Sequence, residues 1–342
     1  MHEFGVLIGR FQPFHLAHLE LVRFALKQAQ TLVIIIGSSN QALDVKDPWD
    51  EFQRREMIES CLSTAEQARV RFIYAEDFLY NNLMWVTAVQ RDVDEITGGS
   101  RDVKLIGHKK DASSFYLEMF PQLCDANGLP IEPHGFNLPI DATKVRETLF
   151  RQDKISVKGL VPVPVYGFLT RYMETEEFQR LHTEFHKVLS DQADWKGSPF
   201  QPIFHTTDAV VICSGHVLCV RRRGAYGRGL IALPGGYVEP GLRLIDNCVK
   251  ELKEETGIKL ASSYLKTHVV DRDTFDHPRR DLRGRVITEA FCIKLDDGEL
   301  PKVKGMDDAD KAWWMSLNAV DVNKRRFFAD HAHIIKRFVS RY

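Results

Sequence analysis

The chain has 342 residues, 44% of them hydrophobic and 27% charged, with a formal net charge of −1. This length allows two domains that each bury a core, and the near-neutral charge argues against a protein that coats nucleic acid, which needs a basic surplus. The six cysteines form no C-x-x-C pair and the apolar runs are too short for a membrane span. We therefore expect a reduced, cytoplasmic protein with no membrane and no nucleic-acid partner.

The first half alternates strand-like and helix-like segments. Residues 4–9 (FGVLIG) and 31–37 (TLVIIIG) are apolar on both faces, which is typical of buried parallel strands. Residues 15–29 between them have a helical period, and strand-like residues 70–75 and 103–108 follow, each before a helix-like segment. This series predicts an α/β fold with a doubly wound parallel sheet, whose ligands bind at the carboxyl ends of the strands.

A change of pattern marks the middle of the chain. Residues 178–189 predict an amphipathic helix, after which the periodicity is lost in a stretch with glycine and proline. We predict a first domain over 1–175, a helix and linker over 176–202, and a second domain over 203–342.

The second half combines strands and helices in another order. A hairpin is predicted to turn at Ser214–Gly215, followed later by a strand at residues 286–295 and a closing helix at 325–339. The second domain is therefore predicted to be mixed α+β.

The segment GRFQPFHLAH joins the first strand to the first helix. Gly9 ends the strand, Pro13 stiffens the loop, and His15 and His18 fall in the first helical turn. A helix N-terminus offers free N–H groups and positive charge to an anion, and Arg10 can add fixed charge. Two ordinary helix-start histidines are the alternative if this segment is taken alone.

A second anion-binding segment is IDATKVRETL, residues 140–149. Asp141 or Thr143 can cap a helix, and Lys144 and Arg146 follow in its first turn. Cations oppose the dipole at a helix N-terminus, a small cost that makes sense if an anion lies between them. The alternative is a capped surface helix.

Together these segments resemble the nucleotidyltransferase superfamily with its (H/T)-x-G-H and S-x-T-x-x-R motifs. GRFQPFHLAH, VKDPWDEFQRREMI, NNLMWV and IGHKKDASSFYLEMFPQ are most similar to the archaeal-type nicotinamide mononucleotide (NMN) adenylyltransferases, over residues 1–170. Ala17 replaces the glycine of the first motif, and Asp141 the serine of the second.

The resemblance implies the reaction ATP + NMN → NAD + pyrophosphate, with Mg²⁺ bridging phosphate oxygens. His15, His18 and Arg146 are the implied catalytic residues. Substrate binding is implied for a further set: Gly9, Arg10, Phe11, Lys46, Trp85 and Thr143. Trp85 matches an aromatic residue that stacks on the nicotinamide ring, although a core tryptophan is an equal alternative.

A cluster of carboxylates follows in LPGGYVEPGLRLIDNCVKELKEETGI, residues 233–258. Glu251, Glu254 and Glu255 share one helical turn, which Gly257 ends. The segment resembles the Nudix box, G-x5-E-x7-R-E-U-x-E-E-x-G-U, starting at Gly236. The resemblance implies an α/β/α sandwich and a metal site at Gly235, Glu251, Glu254 and Glu255, for Mg²⁺ or alternatively Mn²⁺.

Two positions depart from the Nudix pattern. Leu242 stands where the pattern has glutamate, and Lys250 where it has arginine. Lysine lacks the bidentate fork that would orient Glu251. We expect Glu239 to replace the missing charge, and both Glu251 and Glu289 are candidates for the general base.

A run of arginines follows in residues 271–291, DRDTFDHPRRDLRGRVITEAF. Arg279, Arg280, Arg283 and Arg285 are suited to contacts with a diphosphate or ribose phosphate, with a charged surface loop as the alternative. The segment resembles that of Nudix domains directed at ADP-ribose, with Leu282 in place of the usual proline.

Both halves thus resemble the bifunctional NMN adenylyltransferase/Nudix hydrolases, with ATP, NMN, NAD and ADP-ribose as ligands. The second domain would cleave ADP-ribose to AMP and ribose 5-phosphate. One alternative is a Nudix domain that only senses ADP-ribose or NAD. Another is a different phosphate-bearing acceptor, such as nicotinic acid mononucleotide. The sequence leaves open a homo-oligomer.

Overall fold

A computed structural model describes residues 1–107, 112–125, 129–133 and 140–341. The chain divides into two compact units, Met1–His182 and Thr183–Tyr342. Residues 108–111, which belong to the quoted segment IGHKKDASSFYLEMFPQ, lie outside the described residues. In the part of the chain that the structure describes, no helix is long and apolar enough to cross a bilayer.

The first unit contains a parallel sheet of four strands in the order β3-β2-β1-β4. The strands are β1 (His2–Gly9), β2 (Ala29–Ser39), β3 (Val70–Glu76) and β4 (Val103–Ile106). The helices are α1 (Leu16–Gln28), α2 (Glu51–Glu59), α3 (Thr64–Gln67), α4 (Asn82–Thr97), α5 (Ala142–Phe150), α6 (Lys154–Lys158) and α7 (Val163–Tyr172), with 3-10 turns at Ala112–Met119 and Pro121–Leu123. The helix α8 (Glu176–Asp194) contains the limit between the units.

Both faces of the central strands of this sheet are buried. Val6 and Val33 pack with Val89 of α4 in one apolar cluster. Leu7 and Ile34, which alternate with them, are also buried. Continuous apolar runs therefore form the two central strands, and the predicted doubly wound parallel sheet is confirmed.

The second unit contains a mixed sheet in the order β11-β6-β5-β10-β9, with β7 paired to β6 and β8 to β5. The strands are β5 (Ile203–Cys213), β6 (His216–Arg222), β7 (Ile231–Ala232), β8 (Gly235–Tyr237), β9 (Val269–Phe275), β10 (Arg285–Lys294) and β11 (Ala309–Ser316). The helices are α9 (Leu244–Thr256), α10 (Ser262–Thr267), α11 (Ala319–Val322) and α12 (His331–Val339), with a 3-10 turn at Lys324–Arg326.

This sheet lies between two helices, as predicted for an α/β/α sandwich. Val211 and Phe291 pack with Leu252 of α9. The alternate residues Val210 and Cys292 pack with Phe338 of α12. The period of two along β5 and β10 thus divides each strand between two cores.

Individual elements follow the sequence pattern with two corrections. The predicted hairpin turn is confirmed, since Ser214 and Gly215 both have positive φ, as type I′ turns require. The closing helix begins at His331 rather than at residue 325, because a 3-10 turn and a loop precede it. α8 runs to Asp194, past the predicted end at residue 189. The predicted domain limits at residues 175 and 203 stay a prediction.

Candidate active sites

The turn after β1 is built around a glycine. A Cβ atom on Gly9 would lie 2.7 Å from Cζ of Phe11, so only glycine lets this ring fold back over the strand end. Phe11 has φ of +53° and is 2% exposed. This turn brings the next residues to the start of α1 at the carboxyl edge of the sheet.

His15 and His18 form a reciprocal cap on α1. The His15 Nδ1 atom accepts from the His18 main-chain N–H at 3.4 Å, and the His15 N–H donates to His18 Nδ1 at 3.3 Å. The two rings stack with centroids 3.6 Å apart. Since both Nδ1 atoms accept, each neutral ring carries its hydrogen on Nε2, where it can donate to an anion.

Arg146 joins this cluster from the first turn of α5. It is buried and donates to the Gln12 carbonyl at 2.5 Å and to Thr143 Oγ1 at 3.1 Å. Burial lowers the pKa of its guanidinium. Asp141 caps α5 by accepting from the Thr143 N–H at 2.7 Å, so the carboxylate at the motif's serine position serves the helix.

A buried carboxylate lies among the cations of this edge. Asp47 is 4% exposed, with Arg10 Nη1 and Lys46 Nζ each 3.9 Å from its oxygens. Burial alone would raise the pKa of Asp47, but Lys46, Arg10, Arg146 and Arg54 together lower it. Basic side chains from three separate segments of the chain therefore surround the Asp47 carboxylate.

Arg54 ties the strand ends together beneath this cluster. Its side chain is fully buried and donates to the carbonyls of Arg10, Gly37 and Ser38. Burial lowers the pKa of Arg54 to about 10. The arginine thus fixes the loop that carries Arg10 to the end of β2.

Trp85 lies on α4, away from these contacts. It is partly buried and packs edge-on against Phe120, with ring centroids 5.6 Å apart. Trp85 therefore packs against the apolar core of the first unit. Its stacking on a nicotinamide ring stays a prediction.

In the second unit, α9 lies against Gly235 and Gly236 of the short strand β8. Glu255 is 8% exposed and accepts from the Gly235 N–H at 3.0 Å. A Cβ atom on Gly236 would lie 2.7 Å from Glu251 Oε2, and one on Gly235 would lie 2.1 Å from the Thr207 carbonyl oxygen. Glycine is required at Gly235, where the close atom belongs to the β5 backbone, whereas a Cβ at Gly236 would displace the Glu251 carboxylate.

The carboxylates of α9 are crowded. Burial raises the pKa of Glu255 to about 8, and burial also raises the pKa of Glu251. The charge of Glu251 adds to the rise at Glu255, and Glu254 and Glu239 add to the rise at Glu251. An excess of buried negative charge of this kind is relieved by a cation.

Lys250 supplies positive charge to this cluster. Its Nζ lies 2.6 Å from Glu254, 3.0 Å from Glu239 and 4.0 Å from Glu251. Hydrogen bonds to Glu254 and Glu239 raise the pKa of Lys250. Leu242, at the position of a pattern glutamate, is 37% exposed. Among the described residues, no three histidine, cysteine or acidic side chains are already arranged to hold a metal ion.

The arginines of residues 279–285 have separate environments. Arg279 is exposed, whereas Arg280 is buried and pairs with Asp330 through two hydrogen bonds of 3.0 Å. Arg283 pairs with Asp281 at 2.7 Å and lies over the Tyr226 ring at 4.7 Å.

The last member of the run, Arg285, donates to the Asp276 carbonyl. Arg280, which the sequence grouped with the other three as suited to a phosphate, is instead the member of the run that is buried and held by Asp330.

Glu289 lies on β10, opposite Thr207 of β5, and Thr207 is opposite Gly236 of β8. It is 9% exposed and accepts from Thr274 Oγ1 at 2.7 Å. This candidate base is therefore two strands away from Gly235 and Gly236 of β8.

Comparison with known proteins covers both units. Residues 6–147 match the Cytidylyltransferase-like family and residues 203–338 the NUDIX domain family. The crystal structure of a bifunctional NMN adenylyltransferase/ADP ribose pyrophosphatase from Francisella tularensis, complexed with AMP and an Mn ion, superposes with a TM-score of 0.90 and 30% identity, over 100% of this chain and 99% of that one.

Two curated relatives each match one unit. The nicotinamide/nicotinic acid mononucleotide adenylyltransferase of Acinetobacter baylyi is 33% identical over 183 residues, 54% of this chain and 93% of that protein. The ADP-ribose pyrophosphatase of Methanocaldococcus jannaschii is 35% identical over 133 residues, 39% of this chain and 70% of that protein.

This chain belongs to the family of bifunctional NMN adenylyltransferase/ADP-ribose pyrophosphatases. The resemblance that the sequence motifs indicated is confirmed, as is the order of an adenylyltransferase domain followed by a Nudix domain. The family membership places an enzyme in each unit, and Nudix hydrolases use divalent metals.

Sequence reasoning missed several residues that the structure places in contact with the predicted site residues of the first unit. Asp47 and Arg54 both lie in VKDPWDEFQRREMI, which the resemblance covers, yet neither was chosen. The available signal was the number of charged residues around Trp49, which is itself fully buried. Gln12 was also missed, although it holds the Trp49 backbone through its side chain and Arg146 through its carbonyl.

In the Nudix unit the missed residue is Asn247. It is fully buried, donates to Thr207 Oγ1 at 3.0 Å and accepts from the Glu239 N–H at 3.0 Å. An asparagine on the apolar side of a helix was the available signal.

Proposed function

We propose that the first unit transfers the adenylyl group of ATP to NMN, giving NAD and pyrophosphate, and that the second unit hydrolyses ADP-ribose to AMP and ribose 5-phosphate. The full-length similarity to the Francisella enzyme carries this proposal, because both units match it at once. The charge of each cluster agrees with it: cations line the first site and carboxylates the second.

In the first unit, His15, His18, Arg10 and Arg146 hold the triphosphate. The histidines offer Nε2 hydrogens at the N-terminus of α1, and Arg146 is fixed by Gln12 and Thr143. The NMN phosphate attacks the α-phosphorus in line with the leaving pyrophosphate. Fixed positive charge and orientation are sufficient for this chemistry, and no covalent protein intermediate is needed.

The remaining predicted residues of this unit have supporting roles. Gly9 and Phe11 shape the turn below the nucleotide, Lys46 adds charge beside Arg10, and Trp85 is the proposed nicotinamide contact. ATP, NMN and NAD are the proposed ligands.

In the second unit, Glu251, Glu254 and Glu255 with Gly235 would hold a divalent cation, and Mg²⁺ is the proposed ion. The donor set fits a hard cation, because carboxylate oxygens crowd together and burial raises the pKa of Glu255 to about 8. When bound, such a cation neutralises the diphosphate and activates water. Arg279, Arg283 and Arg285 are proposed to orient the ADP-ribose phosphates.

A second candidate function is supported by one observation. Lys250 already neutralises Glu254 and Glu239, and Leu242 leaves the loop one carboxylate short of the family pattern. A Nudix unit with weakened metal binding would bind ADP-ribose without hydrolysing it and would act as a sensor.

One experiment separates these functions. AMP release from ADP-ribose is measured with Mg²⁺ for the native chain and for Glu255→Gln, with NAD synthesis in the same samples as the folding control. The glutamine oxygen can still accept from the Gly235 N–H, so the fold is retained while the charge is lost. Release that is lost in the variant supports two enzymes; no release by the native chain supports the sensor.

A further inference from the structure

One carboxylate oxygen near the first site, Asp47 Oδ1, lacks a hydrogen-bond partner in the described residues. Asp47 Oδ1 is buried and, within the described residues, accepts no hydrogen bond. Such an oxygen is costly to bury, so it calls for an explanation in terms of a ligand, an ion or a function. The mechanism proposed above does not use it.

The surroundings of Asp47 are cationic on several sides. Arg10 and Lys46 each lie 3.9 Å from one of its oxygens, a distance that allows an ion pair but is too long for a hydrogen bond. Arg146 and Arg54 also act on Asp47 electrostatically, but their guanidinium groups donate to main-chain carbonyls. No metal cation is expected in such surroundings.

A neighbouring carboxylate shows the contrast. Asp44 accepts from the main-chain N–H groups of Lys46 and Asp47, both at 2.7 Å, and so forms the turn of the loop. The Asp47 side chain, by contrast, caps none of the helices in the described part of the chain and accepts none of the main-chain hydrogen bonds of this turn. The buried position of Asp47 is therefore explained by the positive charges around it rather than by a local turn or helix cap.

We propose that Asp47 is the built-in counter-charge of the polyphosphate pocket. It balances Arg10, Lys46, Arg54 and Arg146 while no nucleotide is bound, and it weakens the pocket's hold on polyphosphate so that the pyrophosphate product leaves. Because Arg10 lies too far from it for a hydrogen bond, its N–H groups can turn to phosphate oxygens without first breaking one. This inference rests on the proposed adenylyl transfer, in which pyrophosphate is the leaving group.

The test is the binding of inorganic pyrophosphate to the full chain in EDTA, measured by calorimetry. For Asp47→Asn we expect the Kd to fall at least about fivefold, because one nearby negative charge is removed from an anion site. Asp102→Asn is the matched control, since Asp102 is exposed and precedes β4 at the opposite edge of the sheet. Arg146→Met should abolish the heat and so assign the binding to this pocket.

An unchanged or weaker affinity in Asp47→Asn would overturn the proposal. Should that variant fail to fold because four cations lose their partner, the comparison is made between Lys46→Met and Lys46→Met/Asp47→Asn, where the same tightening is expected. NAD synthesis by the native chain is assayed separately. Absent synthesis with tightened pyrophosphate binding would reject the proposed function and leave Asp47 as the counter-charge.

Discussion

Lys250 Nζ lies 2.6 Å from Glu254 Oε2, one turn further along α9, and 3.0 Å from Glu239 Oε1 in the preceding loop. Glu251 is more distant, at 4.0 Å. Lys250 therefore acts mainly on the two exposed carboxylates, as a point charge that lacks the fork of arginine. In this chain Lys250 therefore neutralises carboxylates that a divalent cation would otherwise neutralise.

Removal of Lys250 should strengthen metal binding. In Lys250→Met, Glu254 and Glu239 lose their resident cation, so the Kd for Mn²⁺ should fall by a factor of about three to ten. Free Mn²⁺ is measured by electron paramagnetic resonance. Lys253→Met is the matched control, because Lys253 reaches toward Ser262 on another side of the helix. Weaker Mn²⁺ binding in Lys250→Met would mean that the lysine positions the ligands instead of competing with the ion.

The metal-free chain should become less stable as the pH rises from about 4.5 to about 8. Burial raises the pKa of Glu255 to about 8 from its ordinary value of 4.5, so the folded state binds this proton more tightly than the unfolded state. Stability from this source is complete below the unfolded pKa and is lost as the pH passes through the folded pKa. Its upper bound is on the order of 5 kcal/mol.

Denaturant unfolding in EDTA between pH 5 and pH 8.5 measures this effect. Glu255→Gln cannot titrate, so its free energy of unfolding should fall less over this range than that of the native chain. Parallel curves for the two proteins would show that Glu255 ionises normally in the folded state.

Replacement of Arg146 should affect NAD synthesis far more than stability. In Arg146→Lys the charge remains, but one ammonium cannot reach both Gln12 and Thr143 in the planar arrangement of the guanidinium. We expect kcat to fall about a hundredfold, the usual cost of one misplaced transition-state contact. Lys144→Met is the control, because Lys144 is exposed on the same turn. Equal losses in the two variants would point to general electrostatics.

A methyl group at Gly235 should disrupt the Nudix site. A Cβ there would lie 2.1 Å from the Thr207 carbonyl oxygen and 2.6 Å from Asp208 Oδ1. Gly235→Ala should separate β8 from β5, destabilise the chain by roughly 1–3 kcal/mol and stop AMP release. Gly197→Ala, where a Cβ meets nothing within 4 Å, should change neither property. Native AMP release by Gly235→Ala would show that β8 can shift without loss of the site.

Replacement of the neighbouring Arg279 and Arg280 should affect different properties of the protein. Arg280→Met removes both hydrogen bonds and the positive charge that Arg280 gives the buried Asp330, and it should cost about 3–5 kcal/mol in the free energy of unfolding. Arg279→Met should leave the unfolding free energy unchanged and raise the KM for ADP-ribose. The pair is compared by urea unfolding and by AMP-release kinetics. A KM that stays constant in Arg279→Met would remove Arg279 from the proposed phosphate contacts.

Local patterns in the sequence were sufficient for the elements and the family. The apolar runs of β1 and β2 and the Ser214–Gly215 turn depend on neighbours along the chain, and the structure forms them as predicted. The closing helix was predicted six residues too early, since a 3-10 turn and a loop carry similar residues. The motif positions also selected His15, His18 and Arg146 as candidate catalytic residues. Their catalytic roles stay predictions.

By itself, the sequence determined the two domains' fold classes, the family and the charge type of each site, because these follow from periodicity and motif spacing. Only the tertiary structure decided which charges meet. Asp47 is brought near Arg10 and Arg146 by segments far apart in the chain, and Arg280 is joined to Asp330 in the same way. The strength of a buried charge depends on its neighbours in space and on the exclusion of water, and neither is encoded in local spacing.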